Sequence, residues 1–213
     1  MARKTREEAE QTRQLLLDTA EQLFSEKGVS KTTLADIAGA AGLTRGAVYW
    51  HFQNKLDLYR ALLARIAAQF EAISGKLPEE ARDDPALALW HHSLRVLNTV
   101  DENPQVHRIL LILYMRSEHV GELAPIQDEC VAHMHAARGA LAAVLSLAIA
   151  AGQTLPDVEP DSAAQALQAL HRGLLSHYLA DDLGALRDCR PMLLCLYRGI
   201  FRPEIVEQLS NAG

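Results

Sequence analysis

The chain has 213 residues, 49% of them hydrophobic and 23% charged, with a net charge of −6. That length and balance fit a water-soluble chain with a real core, either one large domain or two modest ones, and exclude a fibrous or disordered polymer. Aromatic and β-branched residues are few while Ala and Leu abound, so helix is favoured over strand throughout.

Arg3, Lys4 and Arg6 form a basic N-terminal arm. Leu16, Ala20, Leu23 and Phe24 then follow the spacing of one helix face, and Gly28 ends that helix. Thr32 or Thr33 caps a short second helix with Leu34, Ile37, Ala38 and Ala41 inward, and Gly42 turns the chain. Thr44 caps a third helix, Arg45–His51, and Asn54 caps a long fourth with Leu58, Leu62 and Ile66 on one face. Gly75 and Pro78, followed by the polar run 79–84, predict a loop. Asp84-Pro85 opens a helix carrying Leu89, His92, Ser93 and Val96, and Asn103-Pro104 opens one carrying Leu110, Leu113 and Tyr114. A long helix is predicted from about Pro125 to Ala151, stopped by Gly152. Another runs from Pro160-Asp161 to about Ala180, and the last from Cys189–Pro191 to just before Pro203. The pattern predicts an all-α chain of about nine helices, a three-helix head at 1–53 and a helical body at 54–213.

Two short helices joined by a Gly-containing turn are the layout of a helix-turn-helix, which places its second helix in the DNA major groove. The charge is distributed to match. Residues 1–60 hold nine Lys/Arg against eight Asp/Glu, and the rest of the chain carries the acidic excess. No carboxylate lies between Asp36 and Asp57, a gap that contains Arg45 and Lys55, and local sign decides where phosphate can approach. Small residues (Ala38, Ala41, Gly42) sit where the two helices must come close. The first turn of the third helix is Thr44-Arg45-Gly46-Ala47. Arg45 is its one long donor, suited to a bidentate contact with guanine, and Gly46 and Ala47 let the backbone approach the groove floor. Val48 and Phe52 are expected to face the core. Tyr49, His51, Lys55 and the hydroxyls of Thr32 and Thr33 are expected to face phosphate. Trp50 fits a core position and a DNA-facing one equally well.

Other chemistries find little support. Cys130, Cys189 and Cys195 have no zinc spacing and are expected to be reduced, buried thiols. Eight of the nine histidines lie beyond residue 90, but His133 and His135 are two apart and would point to different sides of a helix, so no metal site is expected. No nucleophile elbow, phosphate-binding loop, dinucleotide fingerprint or zinc-protease motif occurs, so neither an enzyme nor a cofactor is expected. The opening residues are polar, and the longest apolar run, around Leu141–Ala151, is too short to cross a bilayer. A soluble cytoplasmic protein is expected, with no membrane partner.

Residues 1–60 resemble the DNA-binding domain of TetR-family transcriptional repressors. The marks are Phe24-x-x-x-Gly28 at the end of helix one, Thr32-Thr33-Leu34 with Ile37-Ala38, and the close Gly46-x-x-Tyr49-x-His51-Phe52-x-x-Lys55. The opening MARKT, the stretch TRGAVYWHF and the later RSEHVGEL resemble most the multidrug-efflux repressors of the AcrR and TtgR kind. Those more usually have Lys, Cys and Phe where this chain has Arg116, Ser117 and His119. The resemblance implies that Thr33, Thr44, Arg45, Gly46, Tyr49, Trp50, His51 and Lys55 contact double-stranded operator DNA, with the basic arm alongside. It implies a homodimer paired through the last two helices, about 160–180 and 188–201. Ala166, Ala169, Leu170, Leu174, Leu193, Leu194 and Leu196 would lie in that interface, and a two-fold dimer predicts a palindromic operator.

It also implies that the body is a ligand-binding and dimerisation domain holding a small hydrophobic effector. The candidate contacts are Ile66, Leu89, His92, Ser93, Val96, Leu110, Tyr114, Met134, Arg138, Leu141, Gln168, His171, Arg172 and Leu175. Polar groups on these apolar stripes support a site, because burying them without partners is costly, although a single such histidine is more often a satisfied core or surface residue. The expected function is a ligand-responsive repressor of a multidrug efflux operon. The alternatives are a constitutive DNA binder without effector, and a repressor of a metabolic operon sensing a different small molecule.

Overall fold

The computed structural model describes residues 6–181 and 183–212. Arg3 and Lys4 of the expected arm lie outside the described residues, and Arg6 is the first residue of helix α1. Among the described residues there are ten α-helices and no strand, only an isolated bridge between Thr154 and Phe201.

Contacts divide the chain into two compact units. The first comprises the residues up to Ala67 together with Gln105–Asp128. It contains α1 (Arg6–Lys27), α2 (Leu34–Ala40), α3 (Arg45–His51), the first half of α4 (Lys55–Glu80) and nearly all of α6 (Pro104–Met115). The helix-turn-helix residues share this unit with the first half of α4 and nearly all of α6. Helix α1 buries Leu16, Leu17, Ala20 and Phe24, while α4 buries Leu58, Tyr59 and Leu62, and α6 buries Val106, Ile109 and Ile112. Glu21, 2% exposed, binds these helices together. Its carboxylate takes Arg108 Nη1 at 2.9 Å and Arg65 Nη1 at 3.3 Å, and Arg65 also reaches Asp18 at 2.7 Å and Gln14 Oε1 at 2.6 Å. A buried carboxylate is tolerable only with such partners.

The second unit comprises Ala68–Pro104 and the chain from Glu129 onward. It holds the end of α4, α5 (Pro85–Glu102), most of α7 (Ala124–Ala150), α8 (Pro160–Leu179), α9 (Arg190–Tyr197) and α10 (Pro203–Asn211). Two sequence expectations change here. Gly75 and Pro78 do not open a loop; α4 runs through both to Glu80. Buried Leu77 and Ala81, and the Glu80–Arg95 ion pair at 2.6 Å, hold its last turns despite the missing proline N–H. The chain also does not end its helices before Pro203: that proline starts α10, in the first-turn position where it costs no hydrogen bond. Val206 and Leu209 of α10 are buried, and the Trp90 indole N–H donates to Ala212 O at 3.1 Å. Trp90, Tyr197 and Phe201 form a ring cluster, with centroids 5.3 and 5.2 Å apart.

Gly121–Ala150 is long and apolar enough to cross a membrane by length and composition, with mean hydropathy 1.3 in its most apolar window. The expectation that every apolar run is too short is corrected on that count, because the helix extends well upstream of Leu141. Much of its hydropathy comes from Ala, and Arg138 in its middle pairs with Asp161 at 3.2 Å. Leu141, Val144, Leu145 and Ala148 form its buried stripe. The thiols also differ from expectation: Cys189 is buried, Cys130 is half-buried and Cys195 is exposed. No metal-holding group of His, Cys, Asp or Glu occurs among the described residues.

Candidate functional site

The exposed face of the helix-turn-helix is built by its caps. Thr33 forms a capping box: its Oγ1 accepts from Asp36 N at 3.1 Å, and Asp36 Oδ2 accepts from Thr33 N at 2.8 Å and from Oγ1 at 2.6 Å. Those bonds from Thr33 hold the Asp36 carboxyl below the ordinary carboxylate range. The Thr33 donors are thus turned to Asp36 rather than outward. Buried Thr32 donates to Gly28 O at 2.8 Å, so the phosphate contact expected from its hydroxyl is not available. Gly42 has φ +68°, the left-handed turn that returns the chain toward α3, and Leu43 N donates to Ala38 O at 2.9 Å. Thr44 caps α3 by accepting from Ala47 N at 3.2 Å.

Helix α3 is fixed from beneath by Val48 and Phe52, both buried as expected, with Arg13 stacked 5.3 Å over the Phe52 ring. With those two inward, the helix repeat turns Thr44, Arg45, Gly46, Tyr49 and Trp50 outward, and all five are exposed. Trp50 is 71% exposed, which decides it as a surface residue. Half-buried His51 lies edge-on to it, with ring centroids 4.5 Å apart.

Lys55 is placed differently. Its side chain is 15% exposed and its ammonium lies 3.2 Å from both Val29 O and Glu122 Oε1. The residues following α6 meet the head in the same way. Val29 N donates to Arg116 O at 2.9 Å, and Tyr59 Oη lies 2.9 Å from Ser117 Oγ, itself 3.0 Å from His119 Nε2. The RSEH segment is thus a brace for the head. Neither it nor the Glu21 cluster is visible in spacing, because their partners are far apart in sequence.

The candidate effector residues divide between the two units. Ile66 and Leu110 are buried and Tyr114 half-buried in the first. The remainder belong to the second. There Leu89, Ser93, Leu141 and Leu175 are buried, and Val96, Met134, Arg138 and Gln168 are half-buried. Arg172 is exposed, with Nη1 at 3.4 Å from Met134 Sδ. Several polar members already have partners: Ser93 Oγ lies 3.1 Å from Tyr197 Oη, Gln168 donates to Met134 O at 2.8 Å, and Arg138 pairs with Asp161. His92 and His171 do not follow that pattern. His92 Nδ1 and His171 Nε2 are buried without a hydrogen-bond partner, and so is Arg95 Nε, which the spacing did not single out. Burial, helped by nearby Arg95, lowers the His92 pKa to about 4. Burial, helped by nearby His92, does the same for His171.

A separate concavity of about 450 Å³ is lined by Leu155, Arg198, Phe201, Pro203, Val206, Glu207 and Ser210 and contains none of the candidate effector residues. On the outer side of α8 and α9, Ala166 and Ala169 are exposed and Leu170, Leu194 and Leu196 half-buried. Leu174 and Leu193 are buried within the protomer itself, so they serve its own core and not the expected subunit interface.

Residues 16–62 match the profile of bacterial regulatory proteins, tetR family. The chain is 33% identical over 179 residues to the HTH-type transcriptional regulator TtgR of Pseudomonas putida, covering 84% of this chain and 85% of that one. The structure of NalD, the secondary repressor of the MexAB-OprM multidrug efflux pump in Pseudomonas aeruginosa, superposes with a TM-score of 0.84 at 34% identity, covering 93% of this chain and 100% of that one. SmeT, the repressor of the Stenotrophomonas maltophilia multidrug efflux pump SmeDEF, superposes as its triclosan complex with a TM-score of 0.75 at 26% identity, covering 91% and 93%.

Proposed function

Because this chain belongs to the tetR family of bacterial regulatory proteins, we propose that it is a cytoplasmic, homodimeric repressor of a multidrug efflux operon, released from DNA by a small hydrophobic effector. The observation that carries the reading is the exposed, carboxylate-free face of α3, with Arg45, Tyr49 and Trp50 outward over a buried Val48–Phe52 base. Arg45 reads a base edge; Thr44, Tyr49, Trp50 and His51 position the helix on phosphate and sugar, and Gly46 permits close approach. Thr33 and Lys55 join them only by exchanging Asp36 and Glu122 for phosphate.

Residues 1–53 form the reader, and 54–213 the effector and dimerisation domain. Dimerisation through the outer faces of α8 and α9 gives a two-fold reader and a palindromic operator. Helix α4, whose residues belong to both compact units, carries the response. An effector that prefers the arrangement unable to span two half-sites draws the dimer off DNA, and a coupling of about 1–3 kcal/mol gives ~5–150-fold release. Relatives that are named repressors of efflux pumps, one of them solved with triclosan, support this reading.

The test is fluorescence anisotropy of the purified protein on the DNA upstream of its own gene, titrated with hydrophobic drugs and dyes. Tight, sequence-specific binding reversed by one compound is the expected result. Binding that is sequence-tolerant, dominated by salt and indifferent to every compound would favour a constitutive binder instead.

A further inference from the structure

Lys55 is the first residue of α4, where a cation faces the positive end of the helix dipole. Its side chain is only 15% exposed, and its ammonium lies 3.2 Å from both Val29 O and Glu122 Oε1. Val29 belongs to the turn after α1, so one ammonium ties that turn and the start of α4 to the segment after α6. An ammonium has three donors and no acceptor. These two contacts leave one donor over, while the carboxylate already matches the charge. The backbone that carries Glu122 is held on both sides. Before it, Arg116 O accepts from Val29 N at 2.9 Å, and Ser117 Oγ lies 2.9 Å from Tyr59 Oη. Glu122 itself sits in the short helical turn Gly121–Leu123, followed by buried Leu123 and Ile126. Its own side chain is 54% exposed, so water can take the carboxylate over at little cost.

We propose that Glu122 is a built-in competitor of the DNA backbone, a carboxylate that occupies Lys55 in the free protein and must give it up to a phosphate when DNA binds. This rests on the reading of the helix-turn-helix as a DNA reader, and adds to it a residue that sets affinity without touching DNA. A carboxylate and a phosphate are alternative partners for one ammonium, and the two anions repel each other at that range. A half-exposed ion pair is weak in water, so the exchange is open to a phosphate. The ammonium keeps Val29 O and trades Glu122 for a phosphate oxygen. The freed carboxylate turns to water and takes up a cation, so each Lys55–phosphate contact releases about one counterion fewer than an unpaired lysine would. Affinity then depends on the placement of residues 116–123, because the contacts at Val29 and Tyr59 bring Glu122 to Lys55.

The test is a double-mutant cycle on the full-length protein: wild type, Glu122→Gln, Lys55→Gln and the pair. Each is titrated by fluorescence anisotropy on the duplex upstream of its own gene and on a scrambled duplex, over about 50–200 mM salt. Glu122→Gln should tighten binding about three- to tenfold at the lowest salt, and steepen the fall of log K with log[salt] by about 0.9 for each subunit bound. In the Lys55→Gln background the same substitution should change affinity by less than about twofold. Glu122→Asp keeps the charge but withdraws it by one methylene, and should bind with an affinity between those of wild type and Glu122→Gln. Binding that Glu122→Gln weakens or leaves unchanged would overturn the proposal. So would an equal gain with Lys55 absent, which makes Glu122 one negative charge among others. The two duplexes separate this proposal from the reading beneath it. A Lys55–Glu122 coupling on both, with no preference between them, refutes the sequence-specific repressor and keeps the competitor. Preference for the upstream duplex without coupling refutes the competitor and keeps the repressor. Binding to neither duplex overturns both.

Discussion

Under the proposed function, Arg45 is the residue on which DNA reading depends most narrowly. It is exposed at the start of α3, in a stretch of sequence without a carboxylate between Asp36 and Asp57. Arg45→Ala should weaken operator binding by about 1–3 kcal/mol and relax base preference at one position of each half-site. Unchanged affinity in a mobility-shift titration would remove it from the contact set. The inward side of α3 is legible in the sequence, because Val48 and Phe52 follow from helix period alone. Lys55 and Thr33 are less so. A cap partner three residues away and a carbonyl 26 residues away both claim donors that the sequence assigns to phosphate. Glu21 is not legible as a key residue at all, since nothing local marks a carboxylate as the meeting point of Arg65 and Arg108. Glu21→Ala leaves Arg65, whose side chain is 13% exposed, with one carboxylate fewer. The expected cost is about 3 kcal/mol, read as a lower urea midpoint at constant m-value.

Helices are where composition and spacing carry furthest. The caps at Thr33, Thr44, Asn54 and Asp84 all accept backbone N–H groups as the spacing predicts. The two departures, the continuation of α4 and the existence of α10, both involve proline. Pro78 and Pro203 read equally well as stops, and only tertiary burial of Leu77, Val206 and Leu209 decides otherwise. Helix α10 is consequently predicted to be part of the core and not an appendage. Leu209→Ala, at a side chain 2% exposed, should lower stability by about 2–4 kcal/mol, measurable as a drop in thermal midpoint. A shift within error would mean that α10 is dispensable. The turn after α1 makes an opposite demand. Gly28 has φ +85°, and a Cβ there would stand 3.3 Å from Arg116 O. Gly28→Ala should therefore cost about 1–2 kcal/mol from the left-handed backbone alone, with further loss if the Val29–Arg116 bond lengthens. Retained stability would show that the brace yields.

At the scale of the molecule, the acidic excess lies outside residues 1–60, a division of charge that would favour the proposed DNA contact there. Stability should also depend on pH in a window that the buried rings define. His92 and His171 titrate at about 4 in the fold and at 6.5 when unfolded, so between those values the unfolded chain binds more protons. Stability is then complete above about pH 6.5 and falls as pH drops toward 4, each ring contributing up to roughly 3 kcal/mol. His107, whose pKa burial also lowers, adds to the same limb. Asp36 and Glu159 act elsewhere. Backbone and hydroxyl bonds from Thr33 and Ser162 lower their pKa values, so their contribution is lost only below the ordinary carboxylate range. Urea midpoints measured across this range should therefore show a steep limb in the wild type, much flatter in the His92→Leu/His171→Leu protein. An unchanged slope in the double variant would mean that both rings accept a proton in place, through water or a shift of Glu80 toward them.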